Sequence, residues 1–393
     1  MLDLSQLRAQ LDDFQDYEAD LRDRRGEQRT RAQAVLRACA GDWRGVRTAV
    51  DEAEPRRLVA AMRESPDATA SAPDRPTPIT VVATDGSQIY PDRHVDPMFF
   101  LLNVSRVGFQ YGTREDPMLD TTPRLRFEDD LSTHVDDLLG GMTTELVSAL
   151  RDEMELEQLL EVARDAAVEG RPLVALADGT LIRWMIRGMN NEAAEERLIA
   201  QYTEYLETFR DEERPLASYV SMPATTEVVN LLRFVVGELD APAPDGISVT
   251  PDDPALDGLL DRHVFADLLA PGERSATFGS SSHIQGAYPE GTQVCYFYLK
   301  VPAPPGDGEI GRVEVPQWVA DDESLLDRIH ATVLRECEKG DGYPLALSEA
   351  HERAVIRAPE RESFFRLMER RLQADGLSQT DSRKRRSKQR PRV

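Results

Sequence analysis

Cysteine is scarce in this chain. Cys39, Cys295 and Cys337 are the only three, far apart and with no C-x-x-C pair. That excludes a disulfide framework and a zinc cluster, and a reducing cytoplasm is the expected compartment. Long apolar runs are missing too. None approaches the roughly 20 residues needed to cross a bilayer, and the opening stretch Met1–Asp23 is too acidic for a secretory leader. Positive charge is in deficit, with 47 Lys and Arg against 71 Asp and Glu and a formal net charge of −24. Such a balance ordinarily argues against a polyanion partner, because nucleic acid is bound through clustered Lys and Arg. An acidic surface equally fits a salt-rich cytoplasm, however, and basic patches can sit on an acidic protein. No solenoid-type repeat is visible. What remains is ample for a sizeable core, since 40% of the 393 residues are hydrophobic.

Periodicity organises the chain into four parts. Apolar residues at helical spacing (Leu4, Leu7, Leu11, Phe14, Tyr17, Leu21, then Val35, Leu36, Trp43, Val46, Val50) predict two or three amphipathic helices in a helical arm over residues 1–64. Residues 65–78 hold four prolines and few apolar groups and read as a linker. A domain over residues 79–372 follows. Its strand candidates are Ile79 onward, the two runs 98–105 and 107–111 split by Arg106, Leu173–Asp178, 216–223, 293–301 and 310–315. Helices are expected over 142–169, 192–210, 227–239, 322–339 and 345–372, with a loop over 240–253. Strands close together in sequence, then a helix, then another strand, predict an α/β mixed sheet with helices packed on it. Residues 373–393 end in a run of Arg and Lys without an apolar anchor and are expected to form a disordered basic tail.

Two strand ends carry the chemistry. The run from Ile79 closes in Asp85-Gly86-Ser87, and the run from Leu173 closes in Asp178-Gly179-Thr180. If the strands are neighbours, both carboxylates meet on stiff elements, which suits a hard divalent cation and its oxygen ligands. The acid-rich helix before Asp178 offers a third ligand, with Glu155 and Glu157 best placed. His351 and Tyr343 lie near the start of a late helix, where they can face the same cleft. Arg274, Arg233 and Arg312 are candidate phosphate clamps through bidentate guanidinium contacts. Against this stand ordinary readings: Asp-Gly is common turn chemistry, helix acids usually form a solvated face, and arginines in structural ion pairs are commoner than clamps.

With these residues in view, the chain resembles the NurA nuclease family. The likeness runs through Asp85-Gly86-Ser87, Asp178-Gly179-Thr180-Leu181, Tyr219-Val220-Ser221-Met222-Pro223, Gly272-Glu273-Arg274-Ser275, Phe297-Tyr298-Leu299, Gly311-Arg312-Val313-Glu314-Val315-Pro316 and Gly342-Tyr343-Pro344 through Ala350-His351. The resemblance implies an RNase H-like fold and a nuclease that uses two Mn²⁺ ions, with Mg²⁺ as an alternative. Its implied activities are 5′-to-3′ exonuclease and single-strand endonuclease on DNA, single-stranded or at duplex ends. It further implies a homodimer working with HerA, a hexameric DNA-translocating ATPase, in resecting double-strand breaks. By position it gives the metal ligands as Asp85, a helix glutamate, Asp178 and His351, with Tyr343 beside them. Glu155 is the choice for the glutamate, and Glu157 is next. Arg274 and the basic tail are expected on the DNA backbone. The rival from another class is a non-catalytic adaptor that docks on an ATPase ring, with the acids structural.

Overall fold

The computed structural model describes residues 8–53, 57–91, 98–127, 144–186, 192–237, 256–303, 306 and 308–374. The expected loop over 240–253 and the basic stretch of the tail lie outside these residues. The strands are, in chain order, β1 (Ala60–Met62), β2 (Thr69–Ala70), β3 (Ile79–Ile89), β4 (Phe99–Tyr111), β5 (Met118–Phe127), β6 (Leu173–Asp178), β7 (Leu216–Val220), β8 (Arg274–Ser275), β9 (Phe278–Ser280), β10 (Val294–Val301) and β11 (Glu309–Pro316). The chain divides into two compact units: Met1–Pro73 with Val220–Gln285 and Gln293–Glu314, and Asp74–Tyr219 with Gly286–Thr292 and Val315–Val393.

The first unit builds a core between helices and short antiparallel strands. Two helices, Arg8–Gly41 and Trp43–Ala53, open it. They are separated at Asp42, whose side chain accepts the Gly45 N–H at 3.1 Å as a helix cap. Val35, Leu36 and Val50 pack with Val228 and Leu232 of the Glu227–Gly237 helix and with Tyr296 and Tyr298 of β10. The early part of the same apolar stripe behaves differently: Leu11, Phe14 and Tyr17 are exposed. Residues 60–62, read as part of the helical arm, form β1 and pair with β9, while the stretch read as a linker contributes β2, which pairs with β8. Their segments are too short to show a period of two.

A buried ion network ties the first unit together. Arg312 on β11 donates to Glu227 at 2.7 Å and to Glu314 at 2.8 Å, with its guanidinium 3.6 Å over the Tyr296 ring. The Tyr298 hydroxyl donates to Asp261 at 2.7 Å, and the other oxygen of that carboxylate accepts the Val229 N–H at 2.8 Å. Burial pushes the Glu227 and Asp261 carboxyls up, and these donors oppose the shift.

The second unit is a mixed sheet in the order β7-β6-β3-β4-β5. β3 and β4 pair antiparallel along their length, from Ile79↔Tyr111 to Ile89↔Leu101, and β5 continues the meander on β4. β6 runs parallel to β3, and β7 parallel to β6. Parallel neighbours need crossovers, which the helices Thr144–Asp165 and Glu192–Asp211 supply. Three antiparallel strands followed by two parallel to the first make this an RNase H-like sheet. β3 lies inside it, and its residues Ile79 to Thr84 are all buried, as the unbroken β-branched run requires.

Several boundaries differ from expectation for identifiable reasons. The runs 98–105 and 107–111 are one strand, because Arg106 sends its head to Asp165 at the end of the crossover helix and does not break the ladder. β5 escapes the sequence reading since it is a half-exposed edge with charges and Pro123, the kind of strand that tolerates a missing N–H. The helix expected over 345–372 is two, Leu345–Ala354 and Ala358–Ala374, with Pro359 in the first turn of the second and Glu360 accepting the Arg357 N–H at 2.7 Å.

Arg312→Ala removes the only cation hydrogen-bonded to both Glu227 and Glu314 among the described residues. The expected loss is about 3–5 kcal/mol for a broken buried pair, read as a lowered denaturant midpoint. An unchanged midpoint would contradict the stabilising role.

Candidate active site

The pleat of β3 sorts its side chains between two helices. Successive residues of a strand point to opposite faces. Thr84 donates from its hydroxyl to the Glu155 carbonyl at 3.0 Å, and Gln88 accepts from Arg151 at 3.1 Å, so the even-numbered face meets the Thr144–Asp165 helix. The odd-numbered face meets the Leu345–Ala354 helix. There Ser87 donates to the Ala354 carbonyl, and from β4 Asn103 donates to the same carbonyl at 3.0 Å while Ser105 donates to the Ala350 carbonyl at 2.7 Å. The strand hydroxyls and amide thus satisfy late carbonyls of the helix that carries His351. At its other end, the Ala346 N–H is held by the buried Glu336 carboxylate at 2.8 Å.

On this face the two aspartates come together. Thr84 pairs with Ala177 across the parallel ladder, so Asp85 and Asp178 follow side by side on strands about 5 Å apart. Asp85 Oδ2 lies 2.8 Å from Nδ1 of His351, whose ring is largely exposed. Asp178 Oδ1 accepts the Tyr343 hydroxyl at 2.6 Å and the Gly179 N–H at 2.9 Å. Gly179 turns the chain sharply beyond this strand end at φ +74°. The Tyr343 ring packs edge-on against Tyr219 of β7 at 5.6 Å. Burial raises the pKa of Asp85, the His351 bond and the Gly86 N–H oppose that, and the Asp178 charge adds to it. Tyr343 is likewise pushed up, by burial and then by Asp178.

Glu155 reaches the same strand from the opposite face. A Cβ on Gly86 would lie 2.4 Å from Glu155 Oε1, so the carboxylate occupies the space a side chain would fill. The Arg151 Nε is 2.9 Å away but misaligned, leaving Oε1 a buried acceptor without a hydrogen bond. Arg151 also bonds Asp152 at 2.7 Å, and Asp152 bonds Arg183 at 3.1 Å. Burial raises the Glu155 pKa, and the neighbouring Asp152 and Asp85 charges reinforce it against Arg151 and Arg183. Glu157 points elsewhere, to Arg124 of β5 at 2.5 Å.

The three arginines offered as phosphate clamps lie in the first unit and are committed there. Arg312 is 1% exposed inside its ion network, so it cannot meet a phosphate without breaking that network. Arg233 bonds the Leu256 carbonyl and Asp257. Arg274 is buried, with Glu64 3.9 Å away and the Phe297 ring beneath it. Burial, which a single sequence does not display, commits Arg312 and Arg274 to the interior, while Arg233 is half-buried against Asp257. The reading also missed Arg151, Asp152 and Arg183; their signal was the charged run that includes Arg151-Asp152-Glu153, read as a solvated helix face.

Among the described residues, no three His, Cys, Asp or Glu side chains converge as a closed metal cage. The donors stand instead as His351 with Asp85 and Tyr343 with Asp178 on one face, and Glu155 across the strand. The set still fits a hard divalent ion chemically. The desolvated Asp85 carboxylate stands beside the Asp178 charge, and the buried Glu155 Oε1 is left without a donor.

The fold class is an RNase H-like sheet whose inner parallel strands end in adjacent aspartates. The NurA domain model matches residues 79–356, and the chain belongs to the NurA family. Among solved structures, the NurA nuclease from Sulfolobus solfataricus is similar at 15% identity, covering 78% of this chain and 88% of that one, with a TM-score of 0.48. The catalytic domain of human endonuclease V is similar at 12% identity over 74% of this chain and 85% of that one, TM-score 0.32. LC9-RNase H1, a type 1 RNase H with the type 2 active-site motif, is similar at 16% identity over 39% and 69%, TM-score 0.21. No curated protein matches the chain.

Gly86→Ala drives a methyl group into the Glu155 carboxylate. The expected cost is about 1–3 kcal/mol of stability, measured by urea unfolding. A neutral result would show that Glu155 does not rest on this strand.

Proposed function

We propose that this protein is a divalent-metal-dependent deoxyribonuclease, with Asp85, Asp178, Glu155 and His351 holding the metal. The observation that carries the reading is the placement of Asp85 and Asp178 side by side on neighbouring parallel strands, on one face of the sheet. Mn²⁺ or Mg²⁺, as one ion or two, supplies Lewis-acid stabilisation of a phosphoryl oxygen when bound. The chain does the rest. Asp85, desolvated and next to Asp178, gains from a cation that relieves both penalties. The raised pKa of Tyr343 keeps its hydroxyl protonated, so it orients Asp178 as a donor. Asp85 holds His351 through Nδ1, which leaves Nε2 to ligate the metal. Ser87, Asn103 and Ser105 position His351 through its helix.

Family membership supports the finer parts of the same proposal. These are 5′-to-3′ exonuclease and single-strand endonuclease activity, a homodimer, and work beside a HerA-type hexameric ATPase in end resection in the cytoplasm. The nuclease domain proposed with it spans residues 79–372, followed by the basic tail 373–393.

Labelled single-stranded and resected-end DNA incubated with Mn²⁺ tests the assignment. Asp85→Ala and Asp178→Ala should each abolish cleavage, while Tyr343→Phe should lower it by about 10–100-fold, the usual effect of losing a group that orients a ligand. Activity surviving both aspartate changes would remove the site. Calorimetric Mn²⁺ titration adds a pH test. Because burial raises the pKa of Asp85, and that of Glu155 to about 8, protons compete with the metal at higher pH than for exposed carboxylates. Affinity should therefore fall from pH about 7 to about 5. Equal affinity at both would contradict a metal held by these buried carboxylates.

A further inference from the structure

The first unit carries a recess of about 230 Å³ lined by Glu18, Leu21, Arg22, Arg25, Arg29 and His263. Five of these lie on one side of the Arg8–Gly41 helix, at spacings of three, four, seven and eleven residues from Glu18. His263 faces them from the short Asp261–Phe265 helix. Its Nδ1 accepts the Leu260 N–H at 3.1 Å, so the neutral ring carries its proton on Nε2 and is a donor.

The charges here do not cancel. Glu18 pairs with Arg22 at 3.1 Å, and Asp267 pairs with Arg29 at 3.1 Å. Arg25 has no ion pair among the described residues. Arg262, next to His263, gives its hydrogen bonds to the Met222 and Pro223 carbonyls, which carry no charge. Burial lowers the His263 pKa to about 4, and Arg25, Arg262 and Arg29 each push it further down. With Arg22 and Arg29 paired, Arg25 and Arg262 leave a local surplus of positive charge, which favours an anion there. In a chain of net charge −24, a polyanion meets repulsion over most of the surface, which makes a local positive surplus the more informative.

We propose that this arginine-lined recess is a phosphate-binding site for the backbone of a nucleic-acid strand. The guanidinium groups present forked donors to phosphate oxygens, the His263 Nε2–H adds a neutral donor, and Leu21 offers an apolar side against which a sugar packs. The site makes no base contact, so it holds strands without regard to sequence. This inference rests on the nuclease reading for its choice of ligand, but not on the metal site.

The test uses the full chain with EDTA present and a short labelled single-stranded oligonucleotide, followed by fluorescence anisotropy between about 50 and 200 mM salt. Arg22→Ala with Arg25→Ala should weaken binding several-fold and flatten the plot of log affinity against log salt by about 1.4, about 0.7 for each lost phosphate contact to a single strand. Arg47→Ala, on a surface arginine paired with Asp51 outside the recess, should change neither. Unchanged affinity and slope in the double variant, with its melting temperature preserved, would overturn the proposal. A second arm follows the His263 ring signal by NMR. Movement on adding the oligonucleotide supports the proposal; movement with inorganic phosphate and none with the oligonucleotide would overturn it in favour of a free-anion site. A protein that binds through the recess yet cleaves nothing with Mn²⁺ keeps this inference and loses the nuclease reading.

Discussion

The alternation of β3 is the constraint on which the second unit depends. Because its side chains leave on alternate faces, one strand serves two helices at once: Thr84, Gly86 and Gln88 serve the crossover helix, and Asp85 and Ser87 serve the helix bearing His351. A one-residue slip of register would send Asp85 into the crossover helix and place Gly86 against His351. The ladder to β4, eleven pairs long, and the buried β-branched run prevent it. The precision of the aspartate pair is therefore inherited from backbone hydrogen bonds and hydrophobic burial, which lie remote from any chemistry the carboxylates perform.

Much of this was legible in the chain. An apolar run closing in Asp-Gly-hydroxyl, repeated once, identifies two strand ends, and their meeting depended on the strands being neighbours, which the ladder of β3 and β6 supplies. What periodicity could not give is side-chain facing across elements. Glu155 and Glu157 differ by two positions, about 200° around a helix, and only the packed structure sends one to Gly86 and the other to Arg124. Arg312 was misread for a related reason. In sequence it is a charged residue among valines, and the glutamates that neutralise it are Glu314, two residues on, and Glu227, eighty-five positions away. Short strands such as β1 and β2 were illegible because three or two residues carry no period; their pairing comes from the partner strand.

Charge is handled by segregation. In the first unit the buried cation Arg312 is matched by the buried Glu227 and Glu314. In the second, carboxylates are left partly unmatched where Asp85 adjoins Asp178. Unmatched negative charge held on rigid strands is a standing preference for cations, set by the fold before any cation arrives. The same preference comes at a cost in stability that the surrounding hydrophobic sheet must offset.

Among the described residues, the outer strand of the mixed sheet, β5, ends the hydrogen-bonded order with one free side. Pro123 removes an amide from it, and Asp120, Arg124 and Arg126 dress it with charge. Such an edge is a poor template for a strand from another chain. The sheet is thereby guarded against growing into open-ended stacks, so crowded or partly unfolded copies are kept from recruiting one another through their backbones.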